Sequence, residues 1–144
     1  MTGGPTSSRP VELARAPERR RALYCRAVDV DRLAAAWKKR RASRQARLEE
    51  RASRARGHAR TAARVLRDEF GVGRVWLFGS LAWGRVHEAS DIDLAVEGLA
   101  PERTFAALSR ISSVVGEQID LVPFESCSDS LRGRILERGI RVDD

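Results

Sequence analysis

Apolar and polar positions alternate along this chain in segments that change period, and the changes mark where elements begin and end. From Val30 to Phe70 there is no proline and one glycine, Gly57, and the alanine and arginine content favours helix. Leu48, Ala52, Ala55, Ala59, Ala62, Leu66 and Phe70 recur every three or four residues and trace one face. Asp29 or Asp31 can cap the start, and Gly71 or Gly73 can end the helix. The stretch between Trp37 and Leu48 is different: its lysines and arginines leave hardly any apolar stripe, so it cannot bury itself in its own domain. A helix projecting from the core, or one ordered by a partner, is expected there, with Ala59 to Phe70 packing on a sheet.

Beyond that helix the period shortens. Val75 to Phe78 is an unbroken apolar run of strand length, and Ile92 to Val96 belongs to a second apolar run, which carries the acids and can form another strand. Pro101-Glu102-Arg103 opens a second helix with Phe105, Leu108, Ile111 and Val115 as its inward face, closed by Gly116. Gln118 to Val122 alternates as a third strand, ending at Pro123. Ser128 or Asp129 can start a last helix through Leu131, Ile135 and Leu136, and Ile140 to Val142 can add a short edge strand. Strands alternating with helices require an α/β (α+β) fold, a small mixed sheet flanked by helices with a long N-terminal helical extension. Before residue 18 the chain carries Gly3-Gly4-Pro5, Ser7-Ser8, Pro10 and Pro17, which resist regular structure, and a short helix is expected over Glu18 to Val28. The organisation expected is a weakly ordered tail over 1–28, a basic helical extension over 29–61 and the sheet-bearing domain over 62–144.

Composition narrows the classes. A chain of 144 residues, 42% of them hydrophobic, can build one modest core and not a second. No apolar run approaches the roughly 20 residues that span a bilayer, and no signal-peptide core opens the chain, so a cytoplasmic location is expected. Cys25 and Cys127 lack metal-binding spacing and read as reduced thiols. The net charge of +7 is uneven: residues 1–70 hold 19 Lys and Arg against 8 Asp and Glu, whereas residues 71–144 hold 8 against 12. The basic half is therefore separate from the half that carries the chemistry, and an acidic protein surface or a nucleic acid could neutralise it.

That chemistry centres on Gly79 to Asp93. Gly79-Ser80 turns the chain after the first strand, and a glycine lets backbone N–H groups approach a phosphate while a serine hydroxyl adds a donor. Asp91 and Asp93 stand at i and i+2, so in a strand both carboxylates leave from one face. Such a pair is tolerated mainly where a cation sits between the charges, and magnesium suits oxygen ligands beside substrate phosphates. Asp120 recurs between apolar residues and completes a three-carboxylate cluster if its strand adjoins that of Asp93.

Taken together, the Gly79-Ser80 turn, the ten-residue gap, Asp91-x-Asp93 and the later Asp120 resemble a minimal nucleotidyltransferase of the DNA polymerase β-like superfamily, over roughly Ala62 to the C-terminus. The resemblance implies transfer of a nucleoside monophosphate from a triphosphate, most simply AMP from ATP, to a hydroxyl. Asp91, Asp93 and Asp120 would be both catalytic and metal-binding, holding two Mg2+ ions, with Asp120 activating the hydroxyl. Gly79 and Ser80 would hold the triphosphate, helped by Arg85. Two positions depart from the pattern, Leu81 and Trp83, where relatives commonly carry arginine. Among relatives this small, the resemblance implies the antitoxin of a type VII-like pair, a protein adenylyltransferase that modifies a tyrosine of a HEPN ribonuclease toxin. The chain has no room for a further substrate domain, which favours an acceptor supplied from outside.

Plainer readings stand beside these. His87 reads as an exposed loop residue and His58 as a solvated helix residue, while Trp83 either stacks on a base, fills a partner's pocket or belongs to the core. The arginine-lysine run can be a solvated face. A non-enzymatic antitoxin that acts by occlusion, and a nucleic-acid-binding protein using residues 38–60, are the alternative functions.

Overall fold

The computed structural model describes residues 29–144, and the expectations for the 1–28 tail, the helix over Glu18 to Val28 and Cys25 lie outside them. The chain divides into two units, Met1–Arg40 and Arg41–Asp144. Helix α1 (Val30–Phe70) is followed by strand β1 (Val75–Phe78), the one-turn helix α2 (Ser80–Trp83), strand β2 (Ile92–Val96), helix α3 (Thr104–Val115), strand β3 (Ile119–Pro123), helix α4 (Asp129–Arg138) and strand β4 (Ile140–Arg141).

Local signals set the helix ends. Of the two candidate caps, Asp29 is used: its Oδ1 accepts the Arg32 N–H at 3.0 Å. At the other end Gly71 has φ of +67°, and its N–H bonds to Arg67 O at 3.1 Å. Ser128 caps α4 by accepting the Leu131 N–H at 3.3 Å. Among the described residues no helix is long and apolar enough to cross a membrane.

The sheet order is β3-β2-β1-β4, with β1 antiparallel to β2 and β4, and β2 parallel to β3. The mixed sheet and its flanking helices are those the sequence pattern requires. One face of the sheet presents Val75, Leu77, Ile92, Leu94, Val96, Ile119 and Leu121 to α1 and α3. Burial on α1 begins at Ala55, a turn before the expected Ala59, and continues through Ala59, Ala62, Ala63 and Leu66. Alanines there let the helix approach the sheet closely. On the other face Trp76, Phe78 and Ala95 pack with Ile135 of α4 and with Cys127, which is buried and unpaired.

Two inward faces differ from expectation. Phe105 is 82% exposed, and α3 instead buries Ala107 and Ile111, with Leu108 and Val115 packed behind them. The helix is entered through a 3-10 turn at Pro101–Arg103, and within it Phe105 lies about 120° around the axis from Ile111, off the face that meets the sheet. Leu136 is likewise exposed, since α4 meets the sheet along Leu131 and Ile135. In the first unit, Val30, Leu33 and Trp37 are exposed.

The chain end is pinned to β1 by a charge. Asp143 Oδ1 accepts the Val75 N–H at 3.0 Å and Arg141 Nε at 2.7 Å, and its second oxygen pairs with the same guanidinium. The Arg141 bond, with help from Val75, holds the carboxyl down at about 2. A depressed carboxyl stabilises the fold above its unfolded pKa of about 4 and loses that contribution as pH falls toward 2. Asp143→Asn should cost roughly 1–2 kcal/mol at pH 7 in urea unfolding. The two proteins should converge near pH 2, and a difference that stays constant with pH would contradict this account.

Candidate active site

The site lies where the parallel strands β2 and β3 meet the turn after β1. Asp93 pairs in register with Asp120, and Phe78 with Asp93. Parallel partners in register point to the same side of a sheet. Because Ile92, Leu94, Ile119 and Leu121 fill the α1 and α3 face, Asp93 and Asp120 emerge together on the face that carries Phe78 and Ala95. Asp91 precedes β2 and is exposed, as is Asp120, while Asp93 is half-buried.

Asp93 feels the other two acids. Burial raises the Asp93 carboxyl to about 6, and the negative charges of Asp120 and then Asp91 add to the rise. Such crowding is costly in a fold that needs it for nothing else. The donor set consists of hard carboxylate oxygens, and its uncompensated negative charge fits a magnesium-sized cation. Among the described residues, however, no three His, Cys, Asp or Glu side chains already stand in an arrangement that could hold a metal ion.

Gly79 is dictated by this arrangement. Its φ of +73° with ψ of −155° is a region that only glycine adopts readily, and a methyl group there would overlap Oδ2 of Asp93. The missing side chain is thus the space that Asp93 occupies. Ser80 Oγ donates to Ser90 Oγ at 3.0 Å, and the His87 N–H donates to the same oxygen at 2.9 Å. This ties the turn to the residue next to Asp91. Arg85 is exposed just past Gly84, and its N–H closes the turn on Ser80 O at 3.1 Å. His87 is exposed, in keeping with its plain reading.

Three residues that hold the site were not legible as site residues. Ser90 is buried at 2% exposure, and its carbonyl accepts Arg51 Nη2 of α1 at 2.8 Å. The same guanidinium donates to Glu117 Oε2 at 2.8 Å, just ahead of β3. Arg51 therefore clamps the segment that leads into Asp91 to the one that leads into Asp120. Burial works to raise the Glu117 carboxyl, but Arg51, with His58 and Arg54, overcomes it and leaves the group below its ordinary value. His58 is not simply solvated: its Nδ1 lies 3.1 Å from Glu117 Oε1, a bond made when that nitrogen carries a proton and an unpartnered buried atom otherwise. Trp83 is partly buried, its ring 6.4 Å from that of Phe78.

A family described as polymerase beta nucleotidyltransferase matches residues 60–143. No curated protein sequence matches the chain. Among solved structures, a toxin-antitoxin complex with AMP-PNP is similar at 29% identity and a TM-score of 0.49, covering 55% of this chain and 67% of that one. A complex of a tri-AMPylated Shewanella oneidensis HEPN toxin with its MNT antitoxin is similar at 23% identity and a TM-score of 0.48, covering 61% and 71%. The MntA-HepT toxin-antitoxin complex is similar at 24% identity and a TM-score of 0.47, covering 59% and 68%.

Two expectations come from the geometry. A carboxyl raised to about 6 destabilises the fold as pH climbs from about 4 through 6, because the folded state then carries a charge that the unfolded state bears more easily. In metal-free buffer, Asp93→Asn should therefore be more stable than the parent by roughly 1–3 kcal/mol at pH 8, with the gain vanishing below about pH 4. A loss of stability at pH 8 would contradict the crowding. Arg51→Ala leaves the buried Ser90 carbonyl and the partly buried Glu117 carboxylate without their donor, so roughly 1–3 kcal/mol should be lost in denaturant unfolding. Amide exchange at His87 and Ser90 should speed up, whereas unchanged exchange there would mean that the clamp does not hold the loop.

Proposed function

The chain belongs to the polymerase beta nucleotidyltransferase family, and on that premise we propose that it transfers AMP from ATP to a hydroxyl group. The observation that carries this reading is the in-register Asp93–Asp120 pair beside the glycine whose absent side chain makes room for Asp93. Two in-register carboxylates beside the Gly79 turn, with Asp91 adding its charge to theirs, have no structural use that would offset their repulsion. In the transfer, the acceptor oxygen forms a bond to the α-phosphorus, the bond to the bridging oxygen breaks, and pyrophosphate leaves with the negative charge. The hydroxyl proton passes to Asp120, exposed at the front of the pair. Asp91, Asp93 and Asp120 are the residues that would hold magnesium, which when bound offsets the charge that gathers on the phosphate oxygens. Gly79 and Ser80, with Arg85 nearby, face the triphosphate, and Ser80 would exchange Ser90 for a phosphate oxygen.

For the acceptor we take a protein. The exposed Val30, Leu33 and Trp37 recur at helical spacing, and Lys38 to Arg41 come directly after them in sequence. An apolar stripe next to a basic run suits a protein partner with an acidic rim. The partner class that the sequence resemblance implies is a HEPN-type toxin modified on tyrosine, which makes this chain its antitoxin and an adenylyltransferase.

Co-expression with a HEPN-type protein, followed by intact-mass measurement of that partner, tests the proposal. The partner should gain one or more AMP increments. That gain should disappear for the Asp91→Ala/Asp93→Ala variant and on removal of divalent cations. An increment that persists in the double variant would refute the assignment. Complete neutralisation of the partner with no increment would point to occlusion instead.

A further inference from the structure

Two arginines of α4 converge on Trp83. The guanidinium carbon of Arg134 lies 5.5 Å from the centre of the indole ring, and that of Arg138 lies 5.9 Å away. They stand one helical turn apart, on either side of the buried Ile135. Neither belongs to an ion pair among the described residues, in contrast to their neighbours: Arg132 donates to Cys127 O at 3.0 Å, and Arg141 is held by Asp143. Two like charges gathered on one ring repel each other, and the pull of the indole face offsets that only in part.

Their place in the fold gives the pair a use. Ile135 packs with Phe78 and Ala95, so α4 covers the same sheet face on which Asp93 and Asp120 emerge. Trp83 closes the turn that Gly79 opens, its backbone N–H donating to Gly79 O at 3.0 Å. The two guanidiniums are thereby carried to the end of the turn that runs from Gly79 to Trp83, whose own side chains bear no charge. Resting on the nucleotidyl-transfer reading, we infer that Arg134 and Arg138, spread on Trp83, bind the terminal phosphoryl groups of the nucleoside triphosphate. Guanidinium forks match phosphate oxygens, and a polyphosphate between them replaces their repulsion by two charge-assisted contacts. Once the α-phosphoryl group has been transferred, the same pair holds the departing pyrophosphate.

Calorimetric titration of the full chain with inorganic tripolyphosphate, ATP and AMP, each with magnesium, tests the site. Arg134→Gln/Arg138→Gln should weaken tripolyphosphate and ATP about tenfold or more and leave AMP within about twofold. Arg134→Lys/Arg138→Lys should retain most of the affinity. Unchanged ATP affinity in the glutamine pair, or equal losses for ATP and AMP, would overturn the site. Both side chains are exposed, so the variants should melt with the parent; if the glutamine pair does not, Arg134→Gln alone makes the same comparison. The two readings fail separately. Tripolyphosphate bound through these arginines by a chain that transfers no AMP would sink the transferase reading and keep the site. Transfer by the glutamine pair with an unaltered KM for ATP would sink the site and keep the transferase.

Discussion

Two like charges on adjacent parallel strands, Asp93 beside Asp120, are the constraint around which this domain is arranged. Left alone, they would push β2 and β3 apart or shift their register. What holds them is the opposite face, where Ile92, Leu94, Val96, Ile119 and Leu121 are buried under α1 and α3. Side chains in a strand alternate with a period of two, so a slip of one residue would carry the acids into the core and the apolar residues into water. The register that buries five apolar side chains is the register that crowds two carboxylates. The hydrophobic effect thus sustains an electrostatic arrangement that would not assemble by itself.

The same coupling explains the turn. A side chain at Gly79 would occupy the position of the Asp93 carboxylate, so the glycine serves the acid as well as the bend. The segment between Gly84 and Ser90 has no regular structure of its own, and its placement comes from Ser90, buried and bonded to Ser80, His87 and Arg51. Through Arg51 and Glu117 the long helix reaches both acid-bearing segments at once. A helix that reads in sequence as a basic appendage is, from Arg51 onward, part of the support for the site.

Most of the frame is legible in the sequence because it is written in local periods. The strand runs, the Ser128 cap, Gly71 and Gly116 at helix ends, and the Asp91-x-Asp93 spacing each depend on residues close in sequence. What escapes a sequence reading depends on distant ones. Arg51 lies 39 residues from Ser90 and 66 from Glu117, and in a helix with so many arginines nothing marks it out. Phe105 stands one turn before Leu108 and so reads as inward, but it lies about 120° around the helix from Ile111, and the sheet meets a narrower stripe. Leu136 faces water for a related reason: α4 touches the sheet along a single line, and an apolar residue next to that line has nothing to pack against.

The departures at positions 81 and 83 make sense in the same terms. Leu81 is 1% exposed and belongs to the core cluster under α1, so an arginine there would have to bury a charge without a partner. Trp83 packs toward Phe78 and closes the second cluster, where a flexible cation would leave a gap. Both positions are committed to packing in a domain whose one-turn helix offers few other apolar contacts. Cationic side chains then come to the turn from a flanking residue, as Arg85 does, or from α4, which is fixed over it by Ile135. Packing thus decides where charge can be carried, and the chemistry is left to the surfaces that packing does not use.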